Sequence, residues 1–352
     1  MQSTPNNALN TWHHVFVLTE RFNMMALNAL LEPMRVANYL SHGTICSHEF
    51  CSFDGDTITS SNGMTLNCTS PQEQLERNTT IFIVASWGGE SYDNKKLTAW
   101  LRRQNRSGIQ ICGIELGSFI LARAGLLIGH KATTHWSYLP GFKECYPDIN
   151  VIEQLFTESD RLLTCAGGTA GFDLMLHLIK QYRGAKLAGE VADQIMHHPM
   201  RPSETTQRIT YGRGVDGLPD SISKAVRIIE ENLEDPPRVG EIADAVGISQ
   251  RQLERRFKAN FSCSIARFSQ LLRLQHARVL LVTTDLAIRE IATASGFNTQ
   301  THFNQVFNRC FGRKPSAYRT GWPQGEPMPK WPGTLSNFVA SVRLPPEGRR
   351  ER

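Results

Sequence analysis

Long apolar runs are missing from this chain: none reaches the roughly 18–20 residues that a membrane-spanning helix needs. The opening stretch, Met1 to Asn10, carries neither charge nor an apolar core, so the pattern of a secretory signal is missing as well. A cytoplasmic protein without membrane contact is expected. Cysteine pairs are also lacking. The eight cysteines, at 46, 51, 68, 112, 145, 165, 263 and 310, are scattered and include no CxxC. Cys46 and Cys51 flank His48 with no second ligand pair, so neither a metal nor another cofactor is expected and the thiols read as free. Apolar side chains are not scarce: at 40% they exclude disorder as the general state.

At 352 residues the chain exceeds one ordinary core and suits two domains. Charge separates them. Residues 1–217 hold 18 basic and 20 acidic side chains, residues 218–319 hold 15 and 10, and the remainder 5 and 3, which sum to the formal +5. Between Arg251 and Arg319, twelve basic residues stand against three acidic ones. A polyanion partner leaves such a footprint on one domain, although a solvated basic face gives the same count.

An internal repeat favours the partner. Glu241–Phe268 reads EIADAVGISQRQLERRFKANFSCSIARF, and Glu290–Tyr318 reads EIATASGFNTQTHFNQVFNRCFGRKPSAY. Leu253, Phe257, Phe261 and Phe268 recur as Phe303, Phe307, Phe311 and Tyr318 at an offset of fifty, whereas Gly247 and Gly296 differ by forty-nine. Each copy begins with a short apolar helix, carried by Ile242, Ala243 and Val246 or by Ile291 and Ala292. A glycine follows where a turn needs positive φ, then an N-cap (Ser249; Thr299 or Asn298) and a second helix with an apolar stripe. That second helix offers Gln250, Arg251, Arg255, Arg256 and Lys258 in the first copy. In the second it offers Thr299, Gln300, Thr301, Asn304 and Asn308. These residue types suit phosphates and major-groove base edges. Ile265–Leu281 reads as a long helix joining the copies. A double helix-turn-helix on double-stranded DNA is expected over 220–320.

The N-terminal part alternates β-rich runs with amphipathic stretches. His13–Thr19, residues 79–86, Ile109–Gly113 and Leu162–Ala166 read as buried parallel strands. Asn23–Leu40, Lys95–Arg106, Gly117–Leu127 and Thr169–Tyr182 read as helices. The alternation predicts an α/β domain with an open parallel sheet and a ligand at the carboxyl ends of its strands. At one such end stands Gly113-Ile114-Glu115-Leu116-Gly117, with the spacing of a nucleophile elbow. An ordinary strand–turn–helix with two glycines has the same pattern. The central residue is Glu115, neither Ser nor Cys, and Cys112 falls inside the strand.

Two resemblances sharpen these readings. Gly296–Arg319, with Gly312, Pro315, Ser316 and Tyr318, resembles the AraC family; Ile265 stands where a proline often does in the first copy. Ala122–Trp136 (ARAGLLIGHKATTHW) and Thr164–Ile179 (TCAGGTAGFDLMLHLI) resemble the amidotransferase-like, PfpI-type domain of GlxA-type regulators. The likeness is close to the subgroup that senses carnitine, glycine betaine, arginine and related amino compounds. It implies a flavodoxin-like first domain and an effector-responsive transcription regulator, an activator working with RNA polymerase, with a homodimer left open. The superfamily's cysteine then falls at Glu115 and its histidine at His135, so a pocket remains where the chemistry is lost.

For that pocket Glu115 is placed to meet an ammonium group, with His135 and Trp136 reaching the same crevice and Glu32 matching the superfamily's early acidic residue. Gly167, Gly168 and Thr169 open a helix whose N–H groups suit a ligand carboxylate. Trp87 and Trp136 offer cation–π walls, Trp87 serving equally as core filler. The expected effector is an amino acid or a methylated amine. Two rivals stand beside this reading. An active amidase or protease fused to a DNA-targeting module would need a nucleophile in the elbow, and a nucleoid-type binder would lack sequence preference. The expected layout is a flexible 1–10, the sensor at 11–200, a linker at 201–219, the DNA-binding domain at 220–320 and a disordered tail at 321–352.

Overall fold

The computed structural model describes residues 11–207 and 218–319, and the chain divides after Gln207 into two units. The flexible N-terminus, the tail and most of the linker expected from sequence lie outside the described residues.

In the first unit, six strands form one sheet: β1 (Trp12–Leu18), β2 (Cys46–Cys51), β3 (Thr79–Ala85), β4 (Gln110–Glu115), β5 (Phe156–Ser159) and β6 (Leu162–Cys165). Their order is β2-β1-β3-β4-β6-β5, parallel throughout except for β5, which runs antiparallel to β6. Strand alternation feeds two cores. Val15, Val17, Ile81 and Ile83 pack with Trp100 of α2 (Lys95–Arg106), Phe119 of α3 (Gly117–Arg123) and Phe142 of α4 (Leu139–Cys145). Phe16, Leu18, Phe82 and Val84 face Leu27 and Leu30 of α1 (Met24–Leu40), Leu174 of α5 (Ala170–Arg183) and Val191 of α6 (Ala185–Gln194). With both faces covered, the central strands must be apolar on both sides, which is why β1 and β3 end in continuous apolar runs, Val15–Leu18 and Ile81–Ala85. The doubly covered, mostly parallel sheet is the flavodoxin-like arrangement expected.

Residues 201–207, read from sequence as the start of the linker, lie on this first unit. The Leu155 N–H donates to the carbonyls of Ser203 and Thr205 at 3.1 and 3.0 Å.

In the second unit, among the described residues, all elements are helical: α7 (Asp220–Glu231), α8 (Val239–Ala245), α9 (Gln250–Phe261), α10 (Ile265–Thr283), α11 (Ile288–Ala294), α12 (Gln300–Phe311) and α13 (Pro315–Arg319). Leu253, Phe257, Phe261 and Phe268 form one core with Ile222, Val226 and Ile229 of α7, a helix that the repeat did not reveal. Phe303, Phe307 and Tyr318 form the other with Leu274 and Leu281. Helix α10 contributes to both, as a joining helix must. Among the described residues no helix is long and apolar enough to cross a membrane.

Candidate functional site

The carboxyl ends of β1, β3, β4 and β6 meet around one side chain. Glu115 ends β4 with φ +56°, a left-handed conformation that non-glycine residues adopt at a cost in strain. Crowding enforces the glycines beside it. A Cβ on Gly117 would lie 2.1 Å from the Ile83 carbonyl oxygen, and one on Gly113 2.8 Å from the Ser118 amide nitrogen. The Glu115 side chain is 7% exposed. Its Oε1 accepts from the Ser86 hydroxyl at 2.8 Å and its Oε2 from the Asn23 amide at 2.9 Å. Gly167 closes over it: a Cβ there would stand 2.7 Å from the Cβ of Glu115. Burial pushes the Glu115 carboxyl up to about 7, against the pull of the Ser86 and Asn23 hydrogen bonds. Near neutral pH it is therefore present in both charge states.

The expected neighbours fall into two groups. Those at the elbow are Gly167 and the start of the segment that leads to His135, where the Thr134 hydroxyl donates to the Glu115 carbonyl at 2.7 Å. His135 and Trp136 follow directly, half-buried, their rings 5.3 Å apart, with His135 Nδ1 2.7 Å from the Ser137 hydroxyl. Gly168 and Thr169 open α5, where the Ala170 and Gly171 amides already donate to the Gly167 and Gly168 carbonyls. Glu32 and Trp87 belong to the second group. Glu32 is held by Arg35 on the surface of α1, with N···O distances down to 2.5 Å. At a rise of ~1.5 Å per residue it sits about 13 Å along α1 from Asn23, too far to share the elbow. Trp87 is 41% exposed, and the Arg21 guanidinium lies 5.5 Å from its ring centroid, so an internal cation already faces it.

Sequence reasoning missed Asn23, Ser86 and Tyr138. The first two were detectable as polar residues just beyond the carboxyl ends of β1 and β3, Asn23 doubling as the N-cap of α1. Tyr138 is buried near Glu90 and Glu115. Burial first, then those two carboxyls, push its hydroxyl up. Cys112 lies fully buried within β4, and burial pushes its thiol well above the usual range, so it offers no thiolate.

The second unit carries the other surface. Gly247 and Gly296 turn with φ +72° and +73°, and Ser249 and Thr299 cap the helices that follow, their side chains accepting from the Gln252 and His302 N–H. Gln250, Arg251, Arg255 and Lys258 stand exposed on α9, as do Gln300, Thr301 and Asn308 on α12. Two expected members are less exposed than the rest. Arg256 is half-buried and donates to the Ser221 hydroxyl of α7 at 2.5 Å. Asn304 is half-buried and lines a groove of about 300 Å³ with Asn308, Lys314 and Ser316.

Comparison with known proteins agrees with both domains. Residues 15–181 match the DJ-1/PfpI family, and residues 242–321 match a helix-turn-helix domain. The HTH-type transcriptional regulator CdhR of Pseudomonas aeruginosa is 34% identical over 318 residues, 90% of this chain and 94% of that protein. GbdR of the same species is 31% identical over 89% and 85% of the two chains, and GlxA of Rhizobium meliloti 32% over 86% and 94%. Each is likewise named an HTH-type transcriptional regulator. The chain belongs to the AraC-type helix-turn-helix transcriptional regulators whose N-terminal domain is of the DJ-1/PfpI family, the architecture of GlxA.

Proposed function

We propose that this regulator works in the cytoplasm as an effector-responsive, sequence-specific activator. Its first unit binds a small amino compound without chemistry, and its second reads DNA through α9 and α12. The observation that carries the reading is the strained elbow position, occupied by a buried carboxylate where hydrolytic relatives of the fold need a nucleophile. A carboxylate held by two neutral donors retains lone pairs for a third, and an ammonium group supplies one together with the compensating charge. The ligand's own carboxylate would lie toward Gly168 and the amino end of α5. Trp136 and Tyr138 are the proposed walls for a methylated amine. Contact with RNA polymerase and a homodimer on DNA complete the reading.

A thermal-shift screen of the full chain tests it. A ligand that binds only the folded state stabilises by about 2.7 kcal/mol at a hundredfold excess over Kd. Amino acids or methylated amines should raise Tm, whereas sugars, nucleotides and aromatic acids should not; a screen in which only anionic or neutral compounds raise it contradicts the assignment.

A further inference from the structure

Residues 201–207 run back over the first unit, and their two attachments differ in kind. At one end Arg201 is anchored. Its Nε and Nη2 donate to Oδ2 of Asp173 at 3.0 and 2.6 Å, and its backbone N–H donates to Oδ1 at 2.8 Å. The Asp173 side chain is fully buried, and His197 Nε2 lies 2.9 Å from the same Oδ1. Removing the Arg201 guanidinium would leave the buried Asp173 carboxylate without its two charged hydrogen bonds to that side chain, so this end is the firm one.

At the other end stands Gln207, the last residue of the unit. Its side-chain nitrogen donates toward the Thr133 hydroxyl at 2.9 Å, the Thr134 carbonyl at 2.8 Å and the Gln154 carbonyl at 2.9 Å. Two N–H groups serve three acceptors, so at least one is shared, and Oε1 is buried without a hydrogen-bond partner among the described residues. Neutral, shared and incompletely satisfied, this seat is the weaker attachment. Thr134 also has a second contact. Its carbonyl receives Gln207 while its hydroxyl donates to the backbone of Glu115. One residue therefore touches the elbow on one side and the exit of the chain on the other.

We infer that Gln207 is a latch through which the state of the elbow is passed to the chain leading into the DNA-binding unit, an inference that rests on the effector reading above. A ligand that draws on Glu115 shifts the Thr134 contact and with it the seat of Gln207, while the Arg201 anchor confines the released length to residues 202–207. Gln207 and Thr134 are positioning residues here; neither is assigned to the ligand.

Hydrogen exchange on the full chain, with no ligand added, tests the coupling. Thr134→Val keeps the branched shape and removes the hydroxyl; it should speed exchange of residues 203–207 and of the Leu155 amide several-fold, leaving α7–α13 unchanged. Thr134→Ser, which keeps the hydroxyl, should restore slow exchange. Reciprocity requires that Gln207→Ala, at a half-exposed position that a core does not depend on, speeds exchange at 114–117. In the double variant the two effects should combine less than additively. Unchanged exchange at 203–207 in Thr134→Val, or at the elbow in Gln207→Ala, overturns the latch. Since no effector enters, failure here leaves the Tm screen untouched, and failure of the screen leaves the latch measurable.

Discussion

A single carboxylate, Glu115, stands in an unusual place in the first unit. Held at positive φ and buried, Glu115 has a folded-state value near 7, above its ordinary range. The sign of its contribution to stability follows. Between the ordinary carboxylate range and pH 7 the folded state binds the proton that the unfolded state has lost, so stability falls as pH rises through that window. The lost stability is on the order of 3 kcal/mol for a shift of this size. Glu115→Gln should remove that slope. Denaturant unfolding of both proteins at pH 5 and pH 8 should show the variant gaining on wild type at the higher pH; a constant difference would mean that Glu115 titrates normally. The spacing of the elbow glycines was legible in sequence, because a sharp strand-to-helix turn needs them locally. The partners of the carboxylate were not. Ser86 and Asn23 lie 29 and 92 residues away, and a neutral polar residue takes on its role only once the sheet brings it there.

At the scale of elements, the repeat shows one design used twice with different packing. Gly247 and Gly296 share a turn conformation, yet a Cβ on Gly247 would meet open space while one on Gly296 would lie 2.5 Å from the Leu233 carbonyl oxygen. Arg273 of α10 donates to the Gly296 carbonyl at 2.7 Å, fixing the second turn from the other side. Gly247→Ala should therefore cost only the left-handed strain, about 1–2 kcal/mol. Gly296→Ala should cost more, because backbone must also move, and equal losses in thermal unfolding would contradict the difference in surroundings. On α9 and α12, the proposed recognition helices, exposure sorts the candidates. Arg251→Ala should cost roughly 1–3 kcal/mol at a selected DNA site and relax base preference there. Lys258→Ala should weaken all sequences alike and flatten the salt dependence. Operator affinity that survives both changes would mean that α9 does not face DNA. Elements were legible in proportion to their burial: β1, β3, β4 and β6 showed as apolar runs. The edge strands β2 (CSHEFC) and β5 (FTES), with their polar side chains, did not.

Taken whole, the molecule joins a DJ-1/PfpI-family domain, with a glutamate at its strand-to-helix elbow, to a helix-turn-helix module. The boundary between the parts was the least legible feature. Pro, Ser and Thr at 202–206 have the composition of a linker, but buried Asp173 and the Thr133–Thr134 segment hold that stretch on the first unit. Only tertiary hydrogen bonds distinguish such a strap from a free connection. Effector recognition turns on whether Glu115 meets a cation. Calorimetric titration of wild type and Glu115→Gln with the best compound from the Tm screen, at pH 6 and pH 8, measures this directly. Wild type should bind about tenfold more tightly at pH 8, where the carboxyl is ionised, than at pH 6. The variant should bind more weakly at pH 8, by roughly the 1.5–3 kcal/mol of a charged hydrogen bond, with little dependence on pH. An effector that binds both proteins equally, or whose affinity rises as the pH falls, would contradict the assignment of Glu115 as its partner.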